Sequence, residues 1–193
     1  MRAALRIGQE RWRVAYEAML EALAAPATIN NHVEYCLALP GAARLGQHID
    51  PPAAPAHAEA AFAVAVNEKL AQVLPDAHGA LGCVLAQHGR QDEARSHLVH
   101  QIELSLQRQG QNYVIRHLMT GLFYLARLEQ DRLPRPLFEQ IVALAATHFG
   151  AGTITHSDAQ RLARCEGIAL AEAESRARQP ANWAEMAALA EAG

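Results

Sequence analysis

The chain is predicted to be all-α, built from antiparallel helical hairpins stacked as a right-handed α-solenoid of about nine helices. Three observations lead there. Apolar residues make up 51% of the 193 residues, yet aromatics are only 5%, because Ala and Leu dominate. Both favour helix, and the small Ala side chain lets helices approach closely. No run of Val, Ile, Thr and aromatic residues alternates at period two, so no sheet is expected. Finally, Pro and Gly cut the chain into stretches of helical length joined by short connections.

Taken in order, a first helix is expected from Gln9 to Ala25, ended by Pro26. Thr28 and Asn30 can cap a second over His32 to Leu45, interrupted at Pro40-Gly41. Gly46 to Pro55, which holds Pro51, Pro52 and Pro55, is the clearest loop and makes residues 1–55 the irregular part of the chain. A third helix fits Ala56 to Leu74 and stops at Pro75. Asp76 caps a fourth from Ala77 to His88, closed by Gly89. Asp92 caps a fifth that runs to Gln109 and ends at Gly110. A sixth occupies Asn112 to Glu129. Pro134 and Pro136 sit in the first turn of a seventh, where a missing N–H is tolerated, and Gly150 closes it. After a loop over Ala151 to His156, Ser157 or Asp158 caps an eighth reaching Arg178, and Pro180 starts a short ninth carrying Trp183. Residues 157–192 read as capping helices of a single domain spanning 1–193.

A repeat underlies the array. Shifting the chain by 40 residues superimposes segments 77–110 and 117–150 in character: Leu85 meets Leu125, Leu98 meets Phe138, Ile102 meets Val142 and Gly110 meets Gly150. Weaker echoes occur at Ile7-Gly8-Gln9, Gly46-Gln47 and Gln109-Gly110-Gln111, where Gly-Gln is expected at helix ends.

Asp76 to Gln109 resembles a tetratricopeptide repeat. Leu81-Gly82 stands where that repeat has a Leu-Gly pair, Leu85 at the next contact position, Gly89-Arg90 at the inter-helix turn, Glu93-Ala94 at the start of the second helix, and Leu98 at its large apolar site. Gly82 and Ala94 are small because the paired helices cross there, and Leu81, Leu85 and Leu98 fill the space around them. His78 replaces the usual aromatic, Gln101 the usual Ala and Leu106 the usual Pro, so the repeat is degenerate. Repeats are placed at 76–110 and 116–150. More widely, the run Ala4 to Trp12, the rhythm of Ala94 to Gly150 and the tail through Trp183 are similar to the sensor arrays at the C-terminus of large bacterial signalling ATPases and transcriptional regulators. That similarity implies a regulatory or scaffolding role in signal transduction, exercised by binding a partner or effector.

The array's inner face would be lined by the first helix of each hairpin, which puts Asp76, Cys83, Gln87, Arg116, Met119, Phe123 and Arg127 on it. Arg116 and Arg127 flanking Met119 and Phe123 would offer a cationic and apolar groove suited to an acidic peptide segment or a small carboxylate-bearing effector. The competing reading makes Met119 and Phe123 inter-repeat core. Trp12 and Trp183 are expected to seal the ends.

Other chemistry finds less support. A net charge of −3 gives no global attraction to nucleic acid, and no helix-turn-helix with a basic recognition helix is present. Lys69 is the only lysine and lies in no G-x-x-x-x-G-K-[ST] loop, so ATP hydrolysis is not expected. Cys36, Cys83 and Cys165 are far apart and read as reduced thiols of a cytoplasmic protein. The N-terminus has no signal-peptide core, and Ala60 to Val66 is too short to span a bilayer. Among ten histidines, His97-x-x-His100 shares one helical face and is the strongest metal candidate, although a third ligand would have to come from elsewhere. Those residues, with Glu17, Glu21, His32 and Glu34, give the enzyme alternative, a helical-bundle metalloenzyme with His and Glu ligands, but no Glu-x-x-His spacing exists. The reading adopted is a non-catalytic binding module without cofactor. The Ala-rich face of the eighth helix is compatible with an oligomer.

Overall fold

The computed structural model describes residues 2–24, 32–107, 112–150 and 153–171, and among these it holds eight helices and no strand. They are α1 (Arg2–Ala24), α2 (His32–Ile49), α3 (Ala54–Asn67), α4 (Leu74–Gln87), α5 (Gln91–Leu106), α6 (Asn112–Leu128), α7 (Arg135–His148) and α8 (Ile154–Glu166). The ninth helix expected around Trp183, residues 172–178 of the expected eighth and the closing Gly110 lie outside the described residues, and the eighth itself ends at Glu166 instead of reaching Arg178. No helix among the described residues is long and apolar enough to cross a membrane.

Several boundaries differ from expectation, and proline explains most of them. Pro40 lies inside α2, which runs unbroken through Gly41 and Gly46 to Ile49. The loop expected over 46–55 therefore shrinks to the turn at 50–53. Pro55 and Pro75 stand in the first turns of α3 and α4, and Pro136 in that of α7. A first-turn N–H has no intrahelical acceptor, so a proline there loses nothing and its fixed φ starts the helix. None of these three helices has a side-chain N-cap hydrogen bond. The third helix accordingly ends at Asn67, where Lys69 turns the chain with a positive φ of 54°, and Pro75 opens α4 instead of stopping α3. Gly8 lies within α1 and marks no helix end. Thr153, rather than Ser157 or Asp158, caps α8, its hydroxyl accepting from His156 N; Gly167 closes that helix with φ 66°.

The residues divide into two compact units, Met1–His97 and Leu98–Gly193, with the boundary inside α5. In the first, α1 packs on α2, and α2, α3 and α4 pack on one another. The buried stripe of α3 is entirely alanine: Ala54, Ala58, Ala61 and Ala65. Spacings of three and four residues put them on one face, and the missing side-chain volume lets neighbours come close. A Cβ at Gly46 of α2 would sit 3.4 Å from the backbone of Ala54. Around Ala61 and Ala65 gather Cys36, Leu39, Val73 and Ala77, with Phe62, Leu70 and Leu74 at the margin.

The second unit is filled by larger side chains, among them Leu122, Phe123, Leu125, Phe138 and Ile141, all 2% exposed or less. α7 packs against both α6 and α8, and α6 meets α8. Arg135 at the start of α7 holds the end of α8, donating to the Glu166 carboxylate at 2.9 Å and to its backbone carbonyl at 2.7 Å. The latter satisfies a carbonyl that the helix end leaves without an intrahelical donor. The last turns of α5 approach α6 at Gly121, where an added Cβ would lie 2.9 Å from Ile102 Cγ1 and 3.1 Å from Gln101 Oε1. Both neighbours are fully buried, so the close crossing exists because position 121 lacks a side chain.

Candidate binding face

In the first unit, α2 and α4 lie side by side although α3 separates them in sequence. Their contact carries polar side chains. Arg44 of α2 pairs with Asp76 of α4 at 3.2 Å, each about one-fifth exposed. One end of the contact is closed by Gln87 Nε2, which donates to Gln47 Oε1 at 3.1 Å. Gln47 is buried and Gln87 exposed, so this amide pair runs from the interior to the surface. The two glutamines are 40 residues apart, the interval found in the sequence. Asp76 and Gln87 were placed on a common face by their register on one helix. Arg44 and Gln47 were missed because the repeats were begun at residue 76, although stepping back from Gln87 by that interval reaches Gln47 directly.

Beside this contact, Trp12 of α1 lies over His48 with ring centroids 5.1 Å apart, anchoring the first helix as its size suggested. Tyr16 is buried, with His57 edge-on at 6.3 Å. Burial, reinforced by the charge of Asp50, raises the pKa of its hydroxyl. Cys83, expected on the open face, is buried at 3% exposure and packs within the core.

In the second unit the expected residues separate by burial. Arg116 of α6 is exposed, its guanidinium 5.9 Å from the Phe149 ring centroid. Arg127 is half-buried in the last turn. Met119 and Phe123 are 0% exposed, which corrects their placement as lining of an open groove. Two arginines at the surface with two apolar side chains beneath is what an amphipathic helix gives when its apolar face is covered. A further polar contact joins α6 to α8: Tyr124 OH donates to Asp158 Oδ2 at 3.0 Å, and Arg161 donates to Oδ1 at 3.1 Å. Asp158 is only 4% exposed, and nothing in its spacing marked it as more than a helix cap.

Of the residues of the metalloenzyme alternative, Glu17 and Glu21 are exposed on α1, and His100 is exposed on α5. The side chains of His32 and Glu34 lie outside the described ones. Among the described residues no group of three or more His, Cys, Asp or Glu is placed to hold a metal ion. His97 instead turns to a residue the sequence offered only as a substituted aromatic: His78 of α4, Nδ1 to Nδ1 at 2.9 Å. Of the thiols, Cys36 and Cys83 are buried and Cys165 is exposed. Burial, with the charge of Glu68 as a lesser cause, raises the pKa of Cys36, which keeps it a thiol rather than a nucleophilic thiolate.

No family model, curated protein or solved structure matches the chain.

Proposed function

We propose that the chain is a non-catalytic, tetratricopeptide-like binding module, a right-handed stack of helical hairpins that holds a protein or peptide partner in a regulatory or scaffolding setting in the cytoplasm. The observation that carries this reading is the Gln47–Gln87 hydrogen bond. In a stacked array the first helix of one hairpin lies beside the first helix of the next, so equivalent positions meet at the repeat interval. Two glutamines 40 residues apart, bonded across α2 and α4, fit that rule. The polar character of these contacts also fits helices whose outer edges border an exposed surface, since buried polar groups are retained where they are hydrogen-bonded.

The partner chemistry follows from Gln87 and Arg116, which are exposed, and Arg127, which is half-buried. Gln87 on α4 offers a neutral amide, and Arg116 and Arg127 on α6 offer guanidinium groups suited to carboxylates. An acidic peptide, or an effector bearing a carboxylate, is the occupant the two arginines of the second unit recognise best. Binding of an acidic peptide library to the purified chain tests this. Arg116→Glu with Arg127→Glu is expected to abolish capture of acidic peptides while shifting stability by less than about 1 kcal/mol, since exposed charges contribute little to folding. Unchanged capture by the double variant would remove the assignment.

A further inference from the structure

We propose that His78 and His97 form a two-imidazole seat for a divalent transition-metal cation, one that clips α4 to α5. This does not depend on the binding reading above. Like atoms converge: Nδ1 of His78 lies 2.9 Å from Nδ1 of His97, and the rings are 5.0 Å apart and tilted by 45°. Phe62 of α3 stands edge-on to both, at 4.9 Å and 5.0 Å, and so fixes their orientation. His78 is buried, whereas His97 is half-buried and gives the pair a solvent edge through which an ion can enter.

The separation is that of an N–H···N hydrogen bond in the metal-free pair, and it is also compatible with a particular coordination angle. At a metal–nitrogen distance of about 2.0–2.1 Å, two nitrogens 2.9 Å apart subtend roughly 90°. That is the cis angle of tetragonal copper(II) or nickel(II), while a tetrahedral ion would spread the nitrogens to about 3.3 Å. Two protein ligands leave positions for water or for a donor from solution. One carboxylate acts on the pair: Glu93, one turn before His97, interacts electrostatically with it. Glu93 is also bound by Arg90 through two hydrogen bonds of 2.7 Å and 2.6 Å, and Glu59 of α3 acts on that guanidinium.

Without metal, one ring must carry its proton on Nδ1 to bridge the pair. On binding, that proton moves to Nε2 of the same ring, which frees both Nδ1 lone pairs with no net proton released.

Titration of the full chain with copper(II), nickel(II) or zinc(II) alone tests the proposal. One equivalent should bind, tightest for copper. The electron paramagnetic resonance spectrum of bound copper should carry superhyperfine splitting from two nitrogens. His97→Gln should weaken binding by about tenfold or more, and His100→Gln and His88→Gln should leave it unchanged. Should His97→Gln fail to fold, the nitrogen count on the unsubstituted chain still decides. One coupled nitrogen or none overturns the seat, as does binding that survives His97→Gln or vanishes with His100→Gln.

Discussion

A methyl group at Gly121 would sit 2.9 Å from Ile102 Cγ1, closer than carbons approach without something moving, and Ile102 is fully buried. Gly121→Val should therefore lower stability by about 2 kcal/mol, since overpacking costs more than the gain of replacing a helical glycine. Gly89 resists substitution for the other reason: nothing lies within 4 Å of an added Cβ, but its φ of 75° is left-handed. Gly89→Ala should cost about 1–2 kcal/mol through the backbone alone. Urea unfolding separates the two, because further enlargement matters only at 121. Cys36 gives a pH dependence. Its pKa is raised in the folded chain, so the contribution of its neutral thiol is present below the ordinary value of 9.0 and is lost as pH climbs above it. The melting temperature should fall more steeply above pH 9 in the native chain than in Cys36→Ala. Parallel curves would mean that another group, with Tyr16 the next candidate, governs the alkaline limb.

Between helices, the contact of Tyr124 with Asp158 binds α6 to α8 through a carboxylate almost wholly removed from water. Tyr124→Phe leaves that carboxylate with one fewer donor and should cost about 2 kcal/mol, whereas Arg161→Ala, removing a side chain 58% exposed, should cost less than about 1 kcal/mol. Equal losses in denaturant titrations would contradict the burial argument. The existence and order of the helices were legible because breakers and Ala-Leu composition are local signals, and so was the first turn of α7 at Pro136. Pro40, Pro55 and Pro75 were misread because a proline has the same local chemistry in a first turn, a loop or a bend. Which of these it adopts is decided by what packs on the helix. The alanine stripe of α3 and the company of Cys36 and Leu39 are tertiary facts of that kind. At the candidate face, Gln87 and Asp76 were legible from register on one helix. Arg44, Gln47 and the His78–His97 pair needed two helices brought together.

At the scale of the molecule, the two bonded glutamines are separated by 40 residues, the offset at which segments 77–110 and 117–150 resemble one another in sequence. Burial was harder to foresee. Met119 and Phe123 satisfy the same helical spacing whether they line an open groove or a core, and only their complete enclosure in the second unit chooses. The first unit takes its close packing from alanine, the second from leucine and phenylalanine. The Gln47–Gln87 pair also bears on how a captured segment would respond to ionic strength. An amide carries no net charge, and Gln87 has hydrogen-bonding capacity beyond the one N–H directed at Gln47. Contacts made there should persist at about 1 M sodium chloride, where the Debye length is roughly 3 Å, whereas attraction to Arg116 and Arg127 would be largely screened. A segment held at Gln87 would keep its register in brine, whereas one held at the arginines of the second unit would lose mainly its speed of arrival.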